Sequence, residues 1–163
     1  MSKLRSATIV HEGGNRFVAG TGTNRTIVYG NSIEAGELSP METVTASLAA
    51  CSAMDVISIA EKKRQVITRY EIRVEAIQRD EYPQVLTRAD VIHTVEGPAV
   101  EEAAIRRAIE LSATKYCPVN AMLSAGETEV HHRYVVRNTG DRPFEAEGEV
   151  VVTGPYRRPE VVA

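Results

Sequence analysis

Residues 39–54 read SPMETVTASLAACSAM, and this stretch decides the fold because it encodes a long apolar helix. Ser39 is a good N-cap, Pro40 suits the first helical position, and Glu42 stands where a capping box places its acid. The pattern predicts a helix that continues to about Lys62, where cations favour a helix end. After Glu42 the quoted stretch carries no charge, so we expect this helix to be buried on all sides.

Shorter elements flank this helix on both sides. Alternating apolar residues predict strands, and glycine-rich turns separate them, with Gly13-Gly14-Asn15 predicting a hairpin between the first two. The predicted strands cover residues 7–10, 16–19, 25–29, 70–77, 85–95 and 129–137, and two further helices cover residues 99–114 and 118–124. This order of three strands, helix, two strands, two helices and one strand predicts an α+β fold with antiparallel sheets.

The length of 163 residues suits one principal domain, which we expect to span residues 1–137. Residues 138–163 are richer in glycine and proline and read as a C-terminal extension, either an added edge strand or a flexible tail. The net charge of −3 argues against nucleic acid or an anionic membrane as a partner. We see no secretory signal and no uncharged stretch of membrane-spanning length, so we expect a cytoplasmic protein.

Two cysteines, Cys51 and Cys117, are the candidate nucleophiles. Taken alone, Cys51 in its apolar helix reads as a small buried hydrophobic residue, a common fate of free cysteine. Cys117 precedes Pro118 and so should lie at the mouth of a helix, where unpaired N–H groups favour a thiolate and lower the pKa of the thiol. Equally, Cys117 could serve there as a weak N-cap.

Patterns typical of metal sites do not fit the sequence. Cys51 and Cys117 do not form a Cys-x-x-Cys pair, so neither a zinc knuckle nor a thioredoxin motif applies. His131 and His132 are neighbours on a predicted strand and should point to opposite faces, which keeps them from one metal ion. We therefore expect no metal and interpret the histidines as surface or sheet-packing residues.

The two cysteine contexts together are more informative than either alone. The sequence SPME opens the helix at residues 39–42, AACSAMDV follows at residues 49–56, and KYCPV stands at residues 115–119. These motifs, in this order on predicted helices, resemble those of the OsmC/Ohr family of thiol peroxidases. The resemblance covers about residues 6–136.

This resemblance implies an intertwined homodimer with the cysteine helices in its middle and two active sites at the subunit interface. It implies reduction of organic hydroperoxides to alcohols without metal or flavin. The cysteine matching Cys51 attacks the peroxide and becomes a sulfenic acid, and the one matching Cys117 resolves it as a disulfide. A dithiol reductant then restores both thiols.

The sequence departs from the family pattern around the residues that would activate Cys51. In the best-studied members an acid follows the helix-opening proline directly and binds an arginine from a glycine-rich hairpin. Here Met41 occupies that position and Glu42 comes one residue later, which turns the side chain by about 100° around the helix. Arg16 is the nearest match to the arginine, with Arg25 as the alternative, and both could instead be surface residues.

Three hypotheses follow. The chain is a thiol-dependent peroxidase with catalytic residues Cys51, Cys117, Glu42 and Arg16, or a non-catalytic redox sensor or apolar-ligand-binding dimer of the same fold. The third is a structural dimer whose cysteines are inert. Peroxide consumption with a dithiol donor separates the first hypothesis from the others, and reversible disulfide formation without turnover separates the second from the third.

Overall fold

The computed structural model of the protein describes residues 4–21, 25–32 and 35–154. The chain divides into two compact units, Met1–Val44 and Thr45–Ala163, and the boundary falls inside the first helix. The described elements combine two β-sheets with three α-helices, so the predicted α+β class is confirmed.

The first unit contains a three-stranded antiparallel sheet. Its strands, in the order of the sheet, are β1 (Ala7–Gly13), β2 (Arg16–Thr21) and β3 (Thr26–Tyr29). The turn between β1 and β2 uses positive φ angles of 114° at Gly13 and 56° at Gly14, which glycine adopts without steric cost. The hairpin predicted from these two glycines is therefore confirmed.

The long apolar helix, α1 (Pro40–Lys62), begins and ends where the sequence predicts. Glu42 N–H donates to Ser39 Oγ at 3.2 Å, and Ser39 N–H donates to a Glu42 carboxylate oxygen at 2.7 Å, which completes the capping box. Burial on all sides is wrong for the single chain, because the buried residues recur every fourth position and so occupy one face. They are Leu48, Ser52, Val56 and Ala60.

Met54 lies on the opposite side of α1 from these buried residues. Met54 is 75% exposed there. Among the described residues α1 is the one helix long and apolar enough to cross a membrane, by length and composition alone, and 22% of its most apolar window is buried. An apolar helix of this kind also occurs in the core of globular proteins, so its length does not indicate a membrane.

The second unit contains a four-stranded sheet in which the strands follow one another in chain order. They are β4 (Arg69–Gln78), β5 (Leu86–Gly97), β6 (Glu129–Asn138) and β7 (Phe144–Thr153). The pairs β4–β5 and β6–β7 are antiparallel as expected, but β5 and β6 are parallel. The physical reason is the helical crossover between β5 and β6, which brings the chain back to the starting edge of β5.

The crossover differs in detail from the single helix predicted for residues 99–114. Helix α2 (Glu102–Leu111) begins later, because the carbonyl of Ala99 accepts a hydrogen bond from Val66 N–H at 2.9 Å and keeps the chain extended. A π-helical turn follows at Ser112–Tyr116, and helix α3 covers Pro118–Ser124 as predicted.

Strand β7 occupies the edge of the four-stranded sheet beside β6. It runs through the first part of the predicted C-terminal extension. Residues 155–163, the end of that extension, lie outside the described residues.

Two apolar clusters form the core of the second unit. One packs the C-terminal half of α1 against α2 and the sheet; its buried members are Val56, Ala60, Val95, Val100, Ile105, Ala108, Ile109, Tyr134 and Val136. The other, here called the thiol-side cluster, has buried members Leu48, Ala89, Val91, Cys117 and Val130. Cys51 packs against this second cluster, so both cysteines lie in one apolar region.

Candidate functional site

The two cysteines meet beside a carboxylate. Cys51 and Asp55 lie one turn apart on the same side of α1, and Cys117 comes from the start of α3. The two Sγ atoms and a carboxylate oxygen of Asp55 all lie within 4.8 Å of one another. The resemblance implies that the two cysteines form a disulfide, and from this distance a small local movement would bring the sulfurs into bonding range.

The position of Cys117 follows from the residue after it. Pro118 disfavours helical geometry at the preceding residue, and Cys117 is accordingly extended, with φ −71° and ψ 105°. The π-helical turn ends there, with Cys117 N–H donating to the carbonyl of Ser112 at 2.9 Å. Cys117 Sγ in turn accepts the N–H of Asn120 at 3.3 Å, so this cysteine is the N-cap of α3.

The predicted direction of the Cys117 pKa is wrong. Burial, and to a smaller extent the hydrogen bond with Cys51, raise the pKa of the Cys117 thiol to about 12. The N–H of Asn120 acts in the opposite direction but is outweighed. Because the side chain is only 3% exposed, loss of water exceeds what the end of a short helix supplies.

Asp55 is the residue that sequence reasoning missed. Ser112 Oγ donates to Asp55 Oδ2 at 3.1 Å, and the buried hydroxyl of Ser52 lies 3.3 Å from that of Ser112. Ser112 thereby holds one carboxylate oxygen of Asp55, and the carboxylate lies beside the two sulfurs. The spacing of four residues between Cys51 and Asp55 was a usable signal in the sequence, because residues four apart on a helix share a face.

The same three side chains are also the group most similar to a metal site among the described residues. Because both cysteines stand in the motifs that resemble those of the OsmC/Ohr thiol peroxidases, we interpret the cluster of Cys51, Asp55 and Cys117 as a thiol centre.

The difference between the cysteines predicts selective alkylation of the reduced protein. With a pKa of about 12, Cys117 is a thiolate in about one molecule in ten thousand at pH 8. Iodoacetamide should therefore modify Cys117 at least about a hundredfold more slowly than half-buried Cys51. Peptide mapping by mass spectrometry measures both rates, and unfolding in urea should equalise them. Equal rates in the folded protein would contradict the buried, protonated state of Cys117.

The other predicted site residues lie in the first unit. Glu42 is engaged in the capping box, and its hydrogen bonds with Ser39 hold the pKa of its carboxyl below the usual value. Arg16 on β2 forms ion pairs with Glu12 and, at 3.0 Å, with Glu37. Arg25 is exposed.

A buried histidine pair connects the sheet to the start of α3. Asn120 Nδ2 donates to the carbonyl of Ala113 at 2.8 Å, which leaves Asn120 Oδ1 to accept from His132 Nε2 at 2.9 Å. His132 Nδ1 then accepts from His93 Nε2 at 3.4 Å, and His93 Nδ1 accepts from the Tyr70 hydroxyl at 2.7 Å. This direction of donation requires both rings to be neutral.

Burial is the main cause that lowers the pKa of His93 to about 3 and that of His132 to about 4. Both side chains are fully buried. The interpretation of the histidines as sheet-packing residues is thus confirmed for His93 and His132, and His131 points to the other face, toward Glu129 and Glu149.

The sequence matches a known protein family. The family model described as OsmC-like protein matches residues 33–133. Protein YhfA of Escherichia coli strain K12 is 39% identical over 98 residues, which cover 60% of this chain and 73% of that protein.

Solved structures share the fold at lower identity. An OsmC-like protein from Mycoplasma pneumoniae aligns with a TM-score of 0.73 at 17% identity, covering 83% of this chain and 99% of that chain. An organic hydroperoxide resistance protein from Elizabethkingia anophelis aligns with a TM-score of 0.62 at 14% identity, covering 85% and 99%. At these identities the likeness extends to the fold.

Proposed function

The chain belongs to the family of OsmC-like proteins, and from this premise we propose that it is a thiol-dependent peroxidase that reduces organic hydroperoxides. The observation that carries the proposal is the approach of two sulfurs to within 4.8 Å in an apolar region. Some proteins of this fold are named organic hydroperoxide resistance proteins, which supports the choice of substrate.

The proposed reaction has three steps. The Cys51 thiolate attacks one peroxide oxygen, the O–O bond breaks, and an alcohol leaves while Cys51 becomes a sulfenic acid, with one proton taken up from solvent. Cys117 then attacks the sulfenic sulfur, forming a disulfide and releasing water. A dithiol reductant restores both thiols by exchange. Turnover of an organic hydroperoxide with dithiothreitol as the reductant tests the whole sequence.

The apolar surroundings of Cys51 favour a substrate with a hydrocarbon portion. Several partly buried apolar side chains pack around the thiol-side cluster, namely Ile72, Val74, Ala76, Val119 and Leu123. Burial of each methylene of a substrate chain against such a surface is worth about 0.8 kcal/mol. An alkyl or aryl hydroperoxide should therefore be a better substrate than hydrogen peroxide.

Activation of Cys51 by Arg16 and Glu42 remains part of the proposal, with Arg25 as the alternative cation. A nearby positive charge would stabilise the thiolate against the cost of leaving water. Arg16 carries two acidic partners, Glu12 and Glu37, so its charge is already partly compensated. Together with the shifted acid at Glu42, this favours the second candidate function, a redox sensor that forms the disulfide without rapid turnover.

We further propose that the working unit is a homodimer in the cytoplasm, where dithiol reductants keep thiols reduced. The support is the exposed apolar side chains in each unit. Met54 on α1 is 75% exposed in the second unit, and Ile9 and Val10 on β1 are 60% and 58% exposed in the first. A partner subunit would remove such side chains from water.

Light scattering at micromolar concentration should give about twice the chain mass of 17.8 kDa. Met54→Glu should shift the protein toward the monomer, because it places a charge in the proposed interface at a side chain that is 75% exposed in the single chain. Tyr82→Glu, at a residue 88% exposed in the β4–β5 connection, is the matched control and should stay dimeric. A monomeric mass for the unaltered protein would count against the dimer.

A further inference from the structure

The attack of Cys117 on oxidised Cys51 requires proton transfer. This inference rests on the proposed function. The attacking group is a buried thiol that retains its proton at neutral pH. The leaving group is the hydroxyl of a sulfenic acid, which departs poorly unless it receives a proton. One proton must therefore leave Cys117 and one must reach the departing oxygen.

The groups around the two sulfurs narrow the choice of proton carrier. Asn120 contributes a backbone N–H to Cys117 Sγ, and an amide is not a base. The hydroxyl of Ser112 donates a hydrogen bond to the Asp55 carboxylate. Among the described residues, Asp55 is the one acid or histidine grouped with both sulfurs, with an oxygen within 4.8 Å of each.

We propose that Asp55 carries the proton of the Cys117 thiol to the hydroxyl that leaves Cys51. As Cys117 Sγ bonds to Cys51 Sγ, a carboxylate oxygen of Asp55 takes the thiol proton. The S–O bond breaks, and the same proton passes to the departing oxygen, so that water leaves. The sulfenic sulfur is reduced, the Cys117 sulfur is oxidised, and Asp55 ends as the carboxylate it was.

The hydrogen bond from Ser112 gives this role a structural basis. It holds Oδ2 of Asp55 at 3.1 Å from a fully buried hydroxyl, so the carboxylate stays beside the sulfurs. Asp55 and Cys51 also share a helix face, so the carboxylate keeps its distance from the leaving hydroxyl as Cys117 approaches.

Asp55 should act differently on the two steps of the reaction, the formation of the sulfenic acid and the closure of the disulfide. A carboxylate disfavours a thiolate beside it, so Asp55 does not assist the first attack on peroxide. Asp55→Asn retains the size of the side chain and removes both the charge and the base. We expect this variant to form the sulfenic acid at Cys51 at least as fast as the unaltered protein, but to close the disulfide about a hundredfold more slowly.

Rapid-quench experiments with one equivalent of cumene hydroperoxide separate the two steps. Dimedone labelling follows the sulfenic acid, and intact mass follows the disulfide. Asp80→Asn, at an exposed acid after β4, is the matched control and should change neither rate. Ser112→Ala should slow closure by a smaller factor, because the carboxylate remains but is no longer held.

A second probe does not depend on peroxide chemistry. Dithiodipyridine converts Cys51 to a mixed disulfide and releases one thiopyridone, and attack by Cys117 then releases a second thiopyridone, whose absorbance reports the rate of closure. Asp55→Asn should slow this release as well, since the attacking thiol has lost its base. If the unaltered protein forms no sulfenic acid, the peroxidase proposal fails, while this probe still tests Asp55.

Two results would overturn the role of Asp55. One is closure of the disulfide at the unaltered rate in Asp55→Asn. The other is an equal slowing of sulfenate formation and closure, which would indicate a structural defect. Circular dichroism checks folding, and Asp55→Ser replaces the asparagine variant if that variant does not fold.

Discussion

Replacing Cys51 with serine should abolish hydroperoxide reduction, whereas replacing Cys117 with serine should leave a single turnover. In the proposed mechanism Cys51 supplies the electron pair that breaks the O–O bond, and a serine hydroxyl does not react with peroxides in this way. Loss of the nucleophile costs other enzymes on the order of a millionfold in kcat, so activity should fall to the background rate. Without Cys117 the sulfenic acid forms but has no thiol to condense with.

The measurement uses cumene hydroperoxide, first with dithiothreitol for turnover and then without reductant for the single event. In Cys117→Ser, dimedone should label Cys51 in one equivalent per chain. A sulfenic acid trapped on Cys117 in the unaltered protein would reverse the roles of the two cysteines. If neither cysteine is labelled, the peroxidase proposal fails, and disulfide formation by diamide then separates the redox sensor from an inert dimer.

Mild acid should strongly destabilise the protein, because the unfolded chain binds more protons than the folded chain. The pKa values of about 3 for His93 and about 4 for His132 lie below the unfolded value near 6.5. Between about pH 4 and pH 6.5 the unfolded chain holds protons on these rings that the folded chain excludes, so stability rises with pH in this window. From pH 7 to pH 5 each ring should cost about 2 kcal/mol, or about 4 kcal/mol together.

Urea unfolding at pH 7 and pH 5 measures this loss, which is a large part of a typical stability of about 5–15 kcal/mol. His132→Gln keeps a donor for Asn120 Oδ1. This variant should lose about half as much stability between pH 7 and pH 5 as the unaltered protein, whatever the stability of the variant at pH 7. His11→Gln is the matched control, because His11 is exposed on β1, where its ring donates to the carbonyl of Gly14. An equal loss in His132→Gln and the unaltered protein would show that the buried pair is not the cause.

Local rules were sufficient for most of the secondary structure. The Ser39–Glu42 capping box and the apolar run after it predicted α1 to within one residue at its start. Gly13 and Gly14 predicted the first hairpin because the turn needs positive φ angles. The start of α2 was missed because it depends on the contact of Ala99 with Val66, which is 33 positions away in the chain.

The candidate site was predictable only in part. The motifs around Cys51 and Cys117 indicated a pair of thiols, and the structure brings the two sulfurs together. The pairing of His93 with His132 was not predictable, because it follows from the parallel register in which Val91 faces His132. Asp55 had the right spacing from Cys51, but nothing local indicates that Ser112 orients its carboxylate.

The sequence by itself determined where helices and strands begin, because capping, turn chemistry and hydrophobic period act over a few residues. It also determined the family, through the residues around Cys51 and Cys117. Only the tertiary structure decided the protonation of the site. Cys117 lies at a helix start that favours a thiolate, yet packing against Leu48 and Val130 removes water and raises its pKa to about 12. Burial is set by residues distant in the chain, so the sign of that shift is a property of the fold.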